Sequence, residues 1–128
     1  MRILWVEDNA RFVQTAGQAF LRNHELVVVP SLMGAKERLA AEGFDAILLD
    51  YDLPDGKGIE LFPTLATLGI HPVVIATSSH EMGNNRLREV GAAFICAKKE
   101  FGNIEATLQL ASDLQHTLQG ADDLPDPA

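Results

Sequence analysis

Five short apolar runs punctuate the chain: Ile3-Leu4-Trp5-Val6, Leu26-Val27-Val28-Val29, Ala46-Ile47-Leu48-Leu49, Val73-Val74-Ile75-Ala76 and Phe94-Ile95-Cys96-Ala97. Each is of strand length, and none alternates with polar residues, which is the pattern of strands buried on both faces. Amphipathic segments fill the intervals. Val13, Ala16, Gly17, Phe20 and Leu21 follow the i, i+3, i+4, i+7, i+8 spacing of one helical face. Ser31 precedes a second helix, in which Leu32, Ala35, Leu39 and Ala40 face inward and Gly43 is placed to end it. A third runs from about Gly58 to Leu68 and stops at Gly69. The segment from about Glu81 to Val90 is a weaker helix, because Gly83, Asn84 and Asn85 are poor helix formers. The last, about Asn103 to Leu118, carries Ile104, Leu108, Ala111, Leu114 and Leu118 on one stripe. That stripe permits dimerisation and is equally what a core-facing helix needs.

Strands that alternate with helices in this way predict an α/β fold with right-handed crossovers. The expected architecture is a flavodoxin-like (βα)5 three-layer sandwich around a central five-stranded parallel sheet. Such folds bind ligands at the carboxyl ends of the strands. A length of 128 residues suits one domain, expected over residues 1–119. The remainder, Gly120 to Ala128, is acidic and rich in Pro and is expected to be a disordered tail.

Charge and composition exclude several roles. Lys and Arg number 10 against 18 Asp and Glu, a formal net charge of −8 that repels phosphate backbones and argues against direct nucleic-acid binding. No apolar run is long enough to cross a bilayer. The N-terminus becomes acidic directly after Val6 and reads as a first strand rather than a signal peptide. The single cysteine, Cys96, has no internal partner, so a cytoplasmic location with a reduced thiol is expected.

The strand ends carry the chemistry. The first run ends in Glu7-Asp8 and the third in Asp50, followed by Tyr51-Asp52-Leu53-Pro54-Asp55-Gly56. The fourth ends in Thr77-Ser78-Ser79 and the fifth in Lys98-Lys99. Carboxylates gathered in two neighbouring loops repel one another unless a cation offsets them. Carboxylate oxygens, a backbone carbonyl and water suit Mg²⁺, which a phosphate usually completes. A lysine and a hydroxyl at adjacent strand ends supply what the equatorial oxygens of a phosphoryl group need in transfer. Taken singly, each residue has a plainer reading. The acidic residues serve as helix caps or solvated turns, Asp55-Gly56 after Pro54 makes a turn, Thr77 or Ser78 caps a helix, and Lys98 is a loop lysine.

Taken together, these residues resemble the receiver domains of two-component response regulators. The resemblance rests on Ile3 to Asp8, on Phe44 to Asp50 with Tyr51 to Gly56, on Val74 to Ser78, and on Gly91-Ala92 ahead of Lys98. It implies that Asp50 is the phosphoacceptor, with Glu7, Asp8, Asp50 and the Asp52 backbone carbonyl holding Mg²⁺. Thr77 then corresponds to the hydroxyl that follows the phosphoryl group and Lys98 to the lysine paired with it. Once phosphorylated, Thr77 and the weak helix after it would move to a second arrangement. Also implied are a histidine kinase or histidine phosphotransfer protein as donor and a downstream target protein. No turnover of an external substrate is implied.

Two positions depart from the family pattern. Lys99 stands where Pro is usual, leaving two adjacent lysines of which the Gly91 spacing favours Lys98. Ile95 stands where many receivers carry an aromatic switch residue, and Phe94 would serve only with a slipped register. Trp5 and Cys96 read as core, and His24, His71, His80 and His116 show no metal spacing. The rival readings are a phosphohydrolase of the haloacid dehalogenase type, built on Asp50-Tyr51-Asp52, and a receiver-like interaction module that takes no phosphate. A P-loop NTPase is excluded, because this chain has no glycine-rich phosphate loop.

Overall fold

A computed structural model describes residues 1–122. In chain order the strands are β1 (Arg2–Val6), β2 (Glu25–Val29), β3 (Ala46–Leu49), a short pair β4 (Asp52–Leu53) and β5 (Gly56–Lys57), then β6 (Val73–Ala76) and β7 (Phe94–Ile95). The helices are α1 (Ala10–Phe20), α2 (Leu32–Ala41), α3 (Leu61–Leu68), α4 (Glu81–Val90) and α5 (Ile104–Asp122). Five strands pair in parallel in the order β2-β1-β3-β6-β7, while β4 and β5 form a separate antiparallel hairpin. The strand order reverses between β1 and β3, and the crevice at such a switch point is where α/β sheets bind ligands.

The non-alternating strand sequences are explained by the two cores. Side chains alternate across a sheet, so Leu4, Val6, Ile47, Leu49, Val74 and Ala76 pack under α2, α3 and α4 with Leu32, Ala35, Leu39, Leu61, Leu65 and Leu87. Ile3, Trp5, Ala46, Leu48 and Ile75 pack on the other face with Ala16 of α1 and Ile104, Leu108 and Ala111 of α5. Ile104, Leu108 and Ala111 of the α5 stripe are thereby buried against its own sheet, with Leu114 partly buried beside them. Trp5 is fully buried and stacks on Phe101 with ring centroids 5.3 Å apart, and Cys96 is buried, so both belong to the core. No helix among the described residues is long and apolar enough to cross a membrane.

Several expectations are corrected in detail. Ala40 and Phe20 face solvent rather than the core. The third helix opens with a 3-10 turn, Gly58–Glu60, before α3 begins at Leu61. The fifth strand is only Phe94–Ile95, because the chain then turns inward through a 3-10 segment, Lys98–Asn103. Helix α5 continues through Gly120 to Asp122, past the expected boundary at 119; residues 123–128 of the expected tail lie outside those described.

Candidate functional site

Backbone bonds carry the sheet one residue past its strands. The Glu7 amide donates to the Val29 carbonyl (3.0 Å), the Asp50 amide to Val6 (3.2 Å) and the Thr77 amide to Leu49 (3.0 Å). All three residues are buried, although each is polar. Asp8, one residue further along, is exposed. Carboxylate oxygens of Glu7, Asp8 and Asp50 lie within 4.8 Å of one another, a donor set suited to a hard divalent cation.

Lys98 reaches this cluster from the far edge of the sheet. Its Nζ stands 2.6 Å from Glu7 Oε1 and 3.2 Å from Asp50 Oδ2. Lys99 is exposed, so the fold brings Lys98 to the carboxylates and leaves its neighbour outside. The ammonium also lies 5.2 Å from the Phe12 ring centroid. Burial works against the charged Lys98, but Glu7 and Asp50 outweigh it and hold its pKa above the ordinary lysine value. The Glu7 pKa is raised as well, which for a carboxyl favours the neutral form. Burial raises its pKa more than Lys98 and the Asn9 amide lower it, and Asp50 adds to the rise. Glu7 Oε1 is buried and faces the Lys98 ammonium at 2.6 Å. An oxygen so placed fits a cation.

This pH behaviour has a measurable consequence. With its pKa raised in the fold, neutral Glu7 stabilises the native state at low pH, and that contribution is lost as pH rises from the ordinary glutamate value through the folded one. Glu7→Gln removes the buried charge. Without divalent ions it should therefore raise Tm at neutral pH, with the difference closing in acid. Thermal melts across pH check this; a variant that melts lower at neutral pH refutes it.

Thr77 Oγ1 is buried and has no hydrogen-bond partner. Beyond it, the Asn84 side chain grips Ser78 twice: the Ser78 amide donates to Asn84 Oδ1 (2.8 Å), and Asn84 Nδ2 donates to the Ser78 carbonyl (3.0 Å). That carbonyl also accepts the Lys98 amide at 3.3 Å. Helix α4 is thus tied to the end of β6. A β-carbon on Gly83 would fall 2.7 Å from Tyr51 Cβ, so glycine is what allows α4 to approach the residue after Asp50. Gly83 and Asn84, two of the three poor helix formers that make this segment look weak, are its contacts with the site, and tertiary packing overrides their propensity. His80 is exposed at the start of α4. β7 pairs Ile75 with Phe94 and Ala76 with Ile95, without a slip. Ile95 consequently packs on the α4 side and Phe94 on the α5 side, and no aromatic takes the switch position.

The Asp52 side chain forms an ion pair with Lys57. At the base of the β4–β5 hairpin the Gly58 amide donates to the Tyr51 carbonyl at 2.6 Å. This bond joins the residues flanking the Asp52–Lys57 pair, so that pair's own N–H and C=O groups point away from the partner strand. The Asp52 carbonyl is free of the ladder. The sequence reading missed Gly58 and Asn84 as site residues. The sequence pattern marks Gly58 only as a helix start, yet a β-carbon there would lie 2.1 Å from the Asp50 carbonyl oxygen.

Residues 3–109 match the family model of the response regulator receiver domain. The chain belongs to that family. The receiver is 34% identical over 80 residues to the swarming motility regulation protein RssB of Serratia marcescens, covering 61% of this chain and 36% of RssB. It is 28% identical over 127 residues to a protein-glutamate methylesterase/protein-glutamine glutaminase of Rhodopseudomonas palustris, covering 94% of this chain and 35% of that one. It therefore spans about a third of the length of these relatives. The BeF3-activated receiver domain of Klebsiella pneumoniae RstA superposes with a TM-score of 0.73 at 26% identity, covering 87% of this chain and 97% of that one. Family membership decides against the haloacid dehalogenase reading and sets the receiver in two-component phosphorelay signalling.

Proposed function

We propose that this receiver accepts a phosphoryl group on Asp50 from a phosphohistidine and thereby changes its binding to a target protein. The observation that carries the reading is the placement of a buried Asp50 carboxylate 3.2 Å from the Lys98 ammonium, with Glu7 and Asp8 oxygens grouped around it. An Asp50 oxygen attacks phosphorus, the bond from phosphorus to the donor nitrogen breaks, and that nitrogen keeps the electron pair. The products are an aspartyl phosphate and a free imidazole. Lys98 offsets the charge on the moving group. The unpartnered Thr77 hydroxyl donates to one of its oxygens.

Glu7, Asp8, Asp50 and the Asp52 carbonyl would hold Mg²⁺. When bound, Mg²⁺ supplies positive charge to the phosphoryl oxygens and relieves the repulsion among the carboxylates. A shift of Thr77 toward the phosphoryl group pulls on Ser78, and through the Asn84 clasp on α4, giving a route to the surface without an aromatic switch. The donor is a histidine kinase or histidine phosphotransfer protein in the cytoplasm, and the receiver turns over no external substrate.

Intact mass after incubation with Mg²⁺ and acetyl phosphate tests this. A single phosphoryl addition, mapped to Asp50 and absent with a chelator, is expected. A folded chain that binds Mg²⁺ yet gains no mass overturns the reading and leaves an interaction module.

A further inference from the structure

The hairpin after Asp50 is held at both ends. At its base are the Gly58 amide bond to Tyr51 and a bond from the Lys57 amide to Glu60 Oε2, each 2.6 Å. At its tip the Asp55 carboxylate accepts two amides of α2: Leu32 N–H to Oδ1 at 2.8 Å and Met33 N–H to Oδ2 at 2.9 Å. The same helix has its own cap, since Ser31 Oγ accepts the Gly34 amide at 3.1 Å. The first-turn donors of α2 are thus shared between a local residue and one from a different element.

Asp52 lies between these two anchors, with its side chain paired to Lys57 and its carbonyl outside the ladder. We infer that Asp55 is a positioning residue for metal binding: by clamping the hairpin tip to α2, it fixes where the Asp52 carbonyl stands relative to the Glu7, Asp8 and Asp50 carboxylates. This rests on the Mg²⁺ reading of the previous section. Strands of two residues do not hold a hairpin by themselves. With the tip released, the carbonyl samples more positions, and ordering it becomes a cost of binding.

The test is a Mg²⁺ titration of the full chain followed by amide NMR shifts, alongside thermal melts. Asp55→Ala should weaken Mg²⁺ binding about tenfold, the scale of a lost supporting contact around a metal. Asp55→Asn keeps one acceptor oxygen and should fall between it and the unmodified chain. Ser31→Ala is the control, since it removes an α2 cap without touching the hairpin and should leave Mg²⁺ affinity unchanged at a similar loss of stability. Equal affinity for Asp55→Ala and the unmodified chain overturns the inference. So does an equal loss in Ser31→Ala, which would reduce Asp55 to a helix cap. An unmodified chain that shows no Mg²⁺-dependent shifts overturns the underlying Mg²⁺ reading instead.

Discussion

Asp50→Asn is expected to take up no phosphoryl mass from acetyl phosphate, while the chain should stay folded and melt no lower than before. The amide has the shape of the carboxylate, and its oxygen still accepts the Tyr51 amide that Asp50 Oδ1 accepts at 2.8 Å. It lacks the full negative charge that attack on phosphorus requires. One carboxylate also leaves the Glu7, Asp8 and Asp50 group, so mutual repulsion falls and offsets the lost 3.2 Å contact between Lys98 and Asp50, while Lys98 keeps Glu7 as a partner. Loss of the adduct should be complete. Intact mass and a melting curve on the same sample check both halves. A phosphoryl adduct at the unmodified rate would move the acceptor to another carboxylate. A melting point lowered by several degrees would contradict the account of repulsion.

Gly58→Ala is the most damaging of the small substitutions. Its β-carbon would lie 2.1 Å from the Asp50 carbonyl oxygen, 3.2 Å from the Asp50 carbonyl carbon and 3.3 Å from Leu49 Cγ. The first two are backbone atoms of the residue after β3 and cannot rotate away. Either the hairpin base opens, losing the Gly58 bond to Tyr51, or Asp50 is displaced. A loss of about 2–3 kcal/mol follows from overpacking against rigid atoms, or a drop in Tm of roughly 10 °C. A shift of Asp50 by about 1 Å should also slow phosphorylation about a hundredfold. Gly43→Ala is the comparison, because a β-carbon there meets nothing within 4 Å. Chemical denaturation and phosphorylation rates for the two variants distinguish the cases. If Gly58→Ala is as stable as Gly43→Ala, the close approach is not a constraint.

Much of this was legible in the linear pattern because its causes are local. Strands buried on both faces must be apolar at every position, so Ala46–Leu49 and Val73–Ala76 were bounded to the residue. The strand-end residues followed from the topology, since a parallel sheet puts Glu7, Asp50, Thr77 and Lys98 at one edge. Less legible were residues whose partners are distant in sequence. Asn84 read as a poor helix former because its two bonds are to Ser78, across a loop. Asp55 read as a turn residue because its partners lie more than twenty positions earlier. The choice between Lys98 and Lys99 needed the turn after Ile95, which sends one side chain inward and the other to solvent.

By itself, the sequence determined the class of fold, the number of sheet strands, and which strand ends bear charge. Those properties depend on periodicity and on polar residues at run boundaries, both of which are near-neighbour information. Tertiary structure alone decided that Glu7 is buried against the Lys98 ammonium, that Gly58 lies against the Asp50 carbonyl, and that Asn84 and Asp55 join α4 and α2 to the site. These depend on atoms brought within a few ångströms by chain closure, and spacing along the sequence carries no distance of that kind.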